Sequence, residues 1–202
     1  ATSDLAIAAA RAALAAAGFA DADIDALILA TATPDQTFPS TAVKVQTAIG
    51  MEGGFAFDIQ AVCAGFVFAL AQADALVKSG AARRVMVIGA ETFSRILDFT
   101  DRSTCVLFGD GAGAVILEAM EGTGRPLDRG ILATDLHSDG RYSDLLYVDG
   151  GPSTTGTTGV VKMAGHEIFK HAVVKLAQTG AAALERAGLA KEDVDWLVPH
   201  QA

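Results

Sequence analysis

The segment AALAAAGFADADIDALIL, starting at Ala12, recurs as AALERAGLAKEDVDWLVP from Ala182. The register is constant: Gly18 answers to Gly188, Asp23 to Asp193, Ile24 to Val194, Asp25 to Asp195 and Leu27 to Leu197. A helix-turn-strand unit that occurs twice implies a duplicated fold, in which each half opens with the same element and buries its core against the other. In the first copy the strand leads on to another helix, another strand and a further helix. In the second copy the sequence stops at Ala202, just after the repeated strand. The expectation is a piece of a longer chain that lacks most of its second half.

The first half reads as an alternation of helices and strands. A helix is expected over residues 3–17, capped by Thr2 or Ser3, with Asp4 in its first turn and Gly18 past its end. A strand follows over residues 26–31. Pro34 and Pro39 then interrupt the loop TPDQTFPS, and Thr41 opens a short helix that closes at Gly50. The strand FAFDI delivers the chain to AVCAGFVFAL, a helix running to Lys78 whose Phe66, Leu70, Ala73 and Val77 form a core stripe. Asp74 and Lys78 are its only charges, so it is expected to lie buried between layers, sandwiched by sheets. VMVIGAE is a continuous apolar run of the kind found in a parallel strand covered on both faces. FGDGAGAVILEA is glycine-rich and then strand-like, which excludes the dinucleotide fingerprint and suggests close backbone packing near a site. GGPSTTGTTG reads as a mobile surface loop. A long helix is expected from about Met163 to Arg186.

Composition limits what such a chain can do. With 51% hydrophobic residues in 202, a buried core is assured. The net charge of −9 argues against nucleic acid or an anionic membrane as partner. No apolar run reaches the length of a membrane span. Two cysteines, Cys63 and Cys105, are too few for a disulfide framework or a structural zinc site, which fits a reducing cytoplasm.

Cys63 is the candidate nucleophile. It lies where a strand ends and a long apolar helix begins, so unpaired backbone N–H groups and the helix dipole are expected to lower its pKa. His200, in VPHQA, stands at the end of the second copy's strand. Ligands in open α/β sheets collect beyond the carboxyl ends of strands, and a duplicated fold can bring two such ends together. A Cys and a His so placed can act as activated nucleophile and as base or hydrogen-bond donor. The other histidines fit less well: His166 and His171 are five apart and do not share a helix face, and His137 stands in a turn. Cys105, within the apolar run CVLF, is expected simply to pack.

DIQAVCAGFVFAL, DRSTCVLFGDGAGAVIL, MAGHEIFKHAV and VPHQA, in that order, resemble the beta-ketoacyl-ACP synthase III family of thiolase-like condensing enzymes. The resemblance implies a layered αβαβα fold of two pseudo-symmetric halves, the second truncated. Residues 1–120 would form the first half, and residues 121–202 the connection and the start of the second. It further implies a cytoplasmic homodimer that uses acyl-CoA and malonyl-acyl carrier protein without metal or organic cofactor. By position, Cys63 is the acylated residue, and His200 belongs to a His-Asn pair that assists decarboxylation. Arg102 matches an arginine stacking on the adenine of CoA, and Phe38 a phenylalanine reaching into the partner's acyl pocket. Lys170 matches a position associated with carrier-protein docking. His166 stands at a pantetheine contact where many relatives have Asn. The alternatives are a related ketosynthase or acyltransferase of secondary metabolism, or an inactive truncated dimerisation scaffold.

Overall fold

A run of five apolar residues with no polar interruption must be covered on both faces, and β1 (Ala26–Ala30), ALILA, is buried along its whole length. A computed structural model describes residues 1–20, 23–125 and 128–200. Asp21 and Ala22 of the first repeat, and Gln201 and Ala202 of VPHQA, lie outside the described residues. The chain divides into two units: Ala1–Phe93 with Gly109–Glu121, and Ser94–Phe108 with the residues from Gly122 onwards.

The first unit is built on a four-stranded sheet in the order β2-β1-β3-β4. β1 pairs in parallel with β2 (Phe55–Ile59) and β3 (Arg84–Thr92), and β4 (Asp110–Glu118) closes the edge antiparallel to β3. Alternate residues of each strand face opposite sides, and the two cores follow that period. Leu27, Leu29, Met86, Ile88 and Ala90 join Ala6, Ala10 and Leu14 of α1 (Thr2–Ala17) with Ala42, Val45 and Ile49 of α2 (Thr41–Ile49). Ala26, Ile28, Ala30, Val85 and Val87 pack on Ala69 and Ala73 of α3 (Gly65–Lys78). Alanine at these helix positions lets the backbone lie close to the sheet. Each large aliphatic side chain buried this way contributes about 1.5–3 kcal/mol.

Two details differ from the sequence-based expectation, and one contact is not readable from the sequence. Helix α1 begins at Thr2, because the hydroxyls of Thr2 and Ser3 turn to Thr33, Thr92 and Asp35 instead of capping the helix. The N-terminus of α2 is held from a strand: the Asp58 carboxylate accepts from the Thr41 and Ala42 amides, both at 2.7 Å. The glycines of FGDGAGA are not closely packed among the described residues, against the expectation. A Cβ at Gly109, Gly111 or Gly113 would meet nothing within 4 Å, so that side of the strand is open.

In the second unit, β5 (Leu146–Val148) and β6 (Val161–Met163) form an antiparallel hairpin. Its long connection, expected to be mobile, is closed by its own hydrogen bonds, including Gly156 N–H to Gly151 O at 3.0 Å and Thr155 Oγ1 to Thr157 O at 2.8 Å. Helix α4 (Gly165–Ala187) follows. The buried Asp135 carboxylate holds Arg186, in its last turn, at 2.9 Å and His137 at 2.8 Å.

The repeat is legible in atomic detail at its turn. Gly18 and Gly188 end their helices at φ 69° and 68°, where only glycine is unstrained. The next amides, of Phe19 and Leu189, bond back to Leu14 O and Leu184 O. Asp23 Oδ2 accepts from Ala20 N–H at 2.9 Å, and Asp193 Oδ2 from Ala190 N–H at 2.8 Å. The likeness stops there. The strand expected to follow the second turn does not form, and Trp196, Leu197 and Val198 are 86%, 81% and 89% exposed. A strand is stable only when its amides and carbonyls find a neighbour, and none lies alongside among the described residues.

Candidate active site

The parallel strands β2, β1 and β3 bring their carboxyl ends to one edge of the sheet. From Ile59 the chain passes into a single 3₁₀ turn, Val62–Ala64, and then into α3. Cys63 is therefore not inside the α-helix, as expected, but in the tighter turn before it. Val62, just ahead of it, has φ 46°. That is left-handed backbone, which a β-branched residue adopts at a cost of about 1 kcal/mol or more, and such strain collects at functional sites. The elbow is pressed onto the sheet. A Cβ on Gly65 would lie 3.2 Å from Ala30 Cβ, and one on Gly89 would lie 3.3 Å from the Phe66 ring. Two glycines, one on each side of the contact, thus let the first turn of α3 sit directly on the ends of β1 and β3.

The Cys63 residue is exposed, which suits a group that must meet a substrate. Its acidity departs from the expectation. The surrounding protein desolvates the thiolate and pushes the thiol pKa up; its own backbone N–H pulls in the other direction, and the negative charge of Glu91 adds to the rise. The strand-to-helix position is legible in the sequence, but the approach of the acid depends on strand register. Its signal was present as the one charged residue ending the otherwise apolar VMVIGAE.

Glu91 is half-buried, and burial raises its own pKa against the hydrogen bonds that support the charge. Ala32 N–H donates to Oε1 at 2.8 Å, and the Thr33 and Thr31 hydroxyls donate to Oε2 at 2.6 and 3.4 Å.

The remaining candidates are dispersed. Phe38 sits in the loop before α2, 81% exposed, ahead of a cis bond to Pro39. Arg102 lies in a turn organised by Asp101, whose Oδ1 accepts from the Ser103 amide and hydroxyl. Its guanidinium is exposed and has no ion pair among the described residues. His166 and Lys170, in the first turns of α4, share one partner: Glu167 Oε1 lies 2.9 Å from Lys170 Nζ and 3.4 Å from His166 Nδ1. His200 is exposed in the irregular segment after Asp193. No hydrogen bond among the described residues joins Cys63, Arg102 or His200 to another candidate. Cys105 is part-buried, its thiol 3.8 Å from Phe99 O. Among the described residues, no three His, Cys, Asp or Glu side chains group as metal ligands. No helix is long and apolar enough to cross a membrane.

The helix expected to lie buried between layers is covered on one face only among the described residues, with Val67 48% exposed. A mixed sheet of this order, with a cysteine on a strained turn that opens such a helix, has the thiolase-like fold. Solved structures of 3-oxoacyl-[acyl-carrier-protein] synthase III superpose closely. That from Pseudomonas aeruginosa PAO1 has a TM-score of 0.90 and 41% identity, over 100% of this chain and 61% of that one. That from Aquifex aeolicus VF5 gives 0.87 and 43%, over 96% and 59%. Residues 57–140 match the family model for 3-oxoacyl-[acyl-carrier-protein (ACP)] synthase III. Beta-ketoacyl-[acyl-carrier-protein] synthase III of Cereibacter sphaeroides is 69% identical over 201 residues. Over the stretch they share, the chain is similar to members of this synthase III family. It spans 62% of the length of the curated relatives it matches.

Proposed function

We propose that the protein performs the first condensation of fatty acid synthesis, joining an acyl-CoA primer to malonyl-acyl carrier protein with loss of carbon dioxide. The observation that carries this reading is Cys63 on its strained turn at the carboxyl ends of the parallel strands. The Cys63 thiolate attacks the acyl-CoA carbonyl, and the CoA sulfur leaves with the electron pair and takes up the proton. The exchange is nearly balanced, because attacking and leaving groups are both sulfur. In the second step malonyl-acyl carrier protein loses carbon dioxide. The resulting carbanion attacks the acyl-Cys63 carbonyl and expels the cysteine thiolate, giving the beta-ketoacyl product.

Negative charge develops on a thioester oxygen in that step, and a neutral His200 imidazole would donate a hydrogen bond to it. Arg102, whose guanidinium is unpaired among the described residues, would stack on the adenine of CoA. His166 would meet the pantetheine arm, and Lys170 would contribute to carrier-protein docking. The exposed Phe38 would enter the acyl pocket of a second subunit in a cytoplasmic homodimer. In this reading residues 1–120 form the first half of the fold, and residues 121–202 the connection and the start of the second. No metal or organic cofactor takes part.

The test is the intact mass of the protein before and after incubation with acetyl-CoA and longer acyl-CoAs, with peptide mapping of the adduct. One acyl group on Cys63, absent in Cys63→Ala, is expected. Acylation at another residue, or none with any primer, would refute the assignment.

A further inference from the structure

On the face of the sheet that carries α3, the row along β3 is Val85, Val87, Gly89 and Glu91, because alternate strand residues share a face. Val85 and Val87 are buried against Ala69 and Ala73 of α3. Gly89 lies beneath Phe66, in the first turn of that helix. The next member of the row is Glu91, at the end of the sheet where the chain turns through Cys63. Its three donors, the Ala32 amide and the Thr31 and Thr33 hydroxyls, all belong to the turn after β1. That turn is tied to both neighbouring strands. Thr31 N–H donates to Ile59 O, the last residue of β2 before the elbow, at 3.1 Å, and Thr92 N–H donates to Thr33 Oγ1 at 2.8 Å. One carboxylate thus gathers the ends of three strands. No basic side chain among the described residues pairs with it.

We propose that Glu91 is a positioning residue for the nucleophile, its carboxylate fixing the turn at residues 31–33 beneath the Cys63 elbow and setting a negative charge on the elbow's side of the sheet. The proposal rests on the reading of Cys63 as the nucleophile. Other charges do not share this position. Gly111, opposite Glu91 in β4, places no side chain there. Asp110, opposite Thr92, falls in the row facing α1, as does Asp58, whose carboxylate is occupied by the N-terminus of α2. On α3 the charges are Asp74 and Lys78 at the far end, paired at 2.6 Å. Among the described residues, Cys63 is a titratable group that meets the Glu91 charge, which disfavours loss of the thiol proton. A thiol kept protonated resists oxidation, since the thiolate is the form that oxidants attack.

The test follows carbamidomethylation of Cys63 in the intact protein against pH, with peptide mapping to separate it from Cys105. Glu91→Gln keeps the size and one of the two acceptor oxygens but removes the charge. It should speed alkylation at neutral pH about threefold or more and move the profile to lower pH. Glu91→Asp, which keeps the charge, should move the profile less. An unchanged profile in folded Glu91→Gln overturns the proposal. If that variant does not fold, the wild type carries the test through the ratio of its iodoacetate to iodoacetamide rates. Beside a fixed anion, Cys63 should disfavour the anionic reagent relative to a free thiol, even at about 0.5 M salt, where the surface charge is screened. A ratio equal to that of the free thiol overturns the proposal. Alkylation does not require acyl transfer, so a charge effect with no acylation would remove the functional reading and leave Glu91's influence on the thiol intact.

Discussion

Val62 holds a backbone conformation that costs it energy, and the cost falls next to the reactive sulfur. Glycine at this position adopts φ 46° freely but leaves the unfolded chain more entropy to lose, so the two effects oppose each other. Val62→Gly is expected to change stability by less than about 1 kcal/mol in urea unfolding. The same variant should slow Cys63 acylation several-fold, because the turn that aims the thiol is no longer confined. At this scale the sequence was half legible. A cysteine between a strand and an apolar helix is visible in the letters, but the left-handed valine is not, since nothing in AVCAG separates a 3₁₀ turn from a first helical turn. Glu91 escaped for another reason: its influence on Cys63 comes from strand register, which brings together residues 28 positions apart in the sequence.

Among the elements, α1, α2, β2 and α4 follow closely from periodicity, glycine stops and the breaks made by proline, because those signals are local. The start of α2 depended on something non-local, the Asp58 carboxylate of β2, which reads in FAFDI as an ordinary polar strand position. The repeated strand at residues 196–198 failed because propensity cannot supply a hydrogen-bonding neighbour. The contact between α3 and the sheet yields a sharp expectation. Valine at Gly89 would force its Cβ to 3.3 Å from Phe66 and its methyls closer still. Gly89→Val should destabilise the first unit by about 1–3 kcal/mol, read as a lower urea midpoint with unchanged slope. It should also slow acylation of Cys63, by lifting the helix turn that follows the elbow.

For the whole molecule, the acidic balance and the depressed carboxylates set the response to pH. Arg141 and then Lys175 hold Asp139 well below the ordinary carboxylate range. Burial pushes Asp35 up, but the Ser3 hydroxyl and amide and Lys44 outweigh it, and its net shift is downward. Groups with lowered folded-state values contribute stability above their unfolded pKa and lose it as pH falls through the folded one. Glu91 works in the opposite sense, since its raised value favours the folded state when protonated. The urea midpoint should therefore fall as pH drops below about 4, and Asp139→Asn should flatten that fall. An unchanged acid limb in Asp139→Asn would exclude the Arg141–Asp139–Lys175 cluster as a contributor. The net charge of −9 was plain from composition, but its division between paired and unpaired acids became visible only in the folded chain.

The paired turns at Gly18 and Gly188 have one more consequence. Each closes with bonds from its own glycine and the next residue to the last turn of its own helix, and from an alanine amide to its own aspartate. The two nevertheless hold the same shape where one continues into a buried strand and the other into an exposed segment. The motif is therefore self-sufficient: its form is inherited with its letters, and a duplicated gene could carry it into a new setting without redesigning what lies around it.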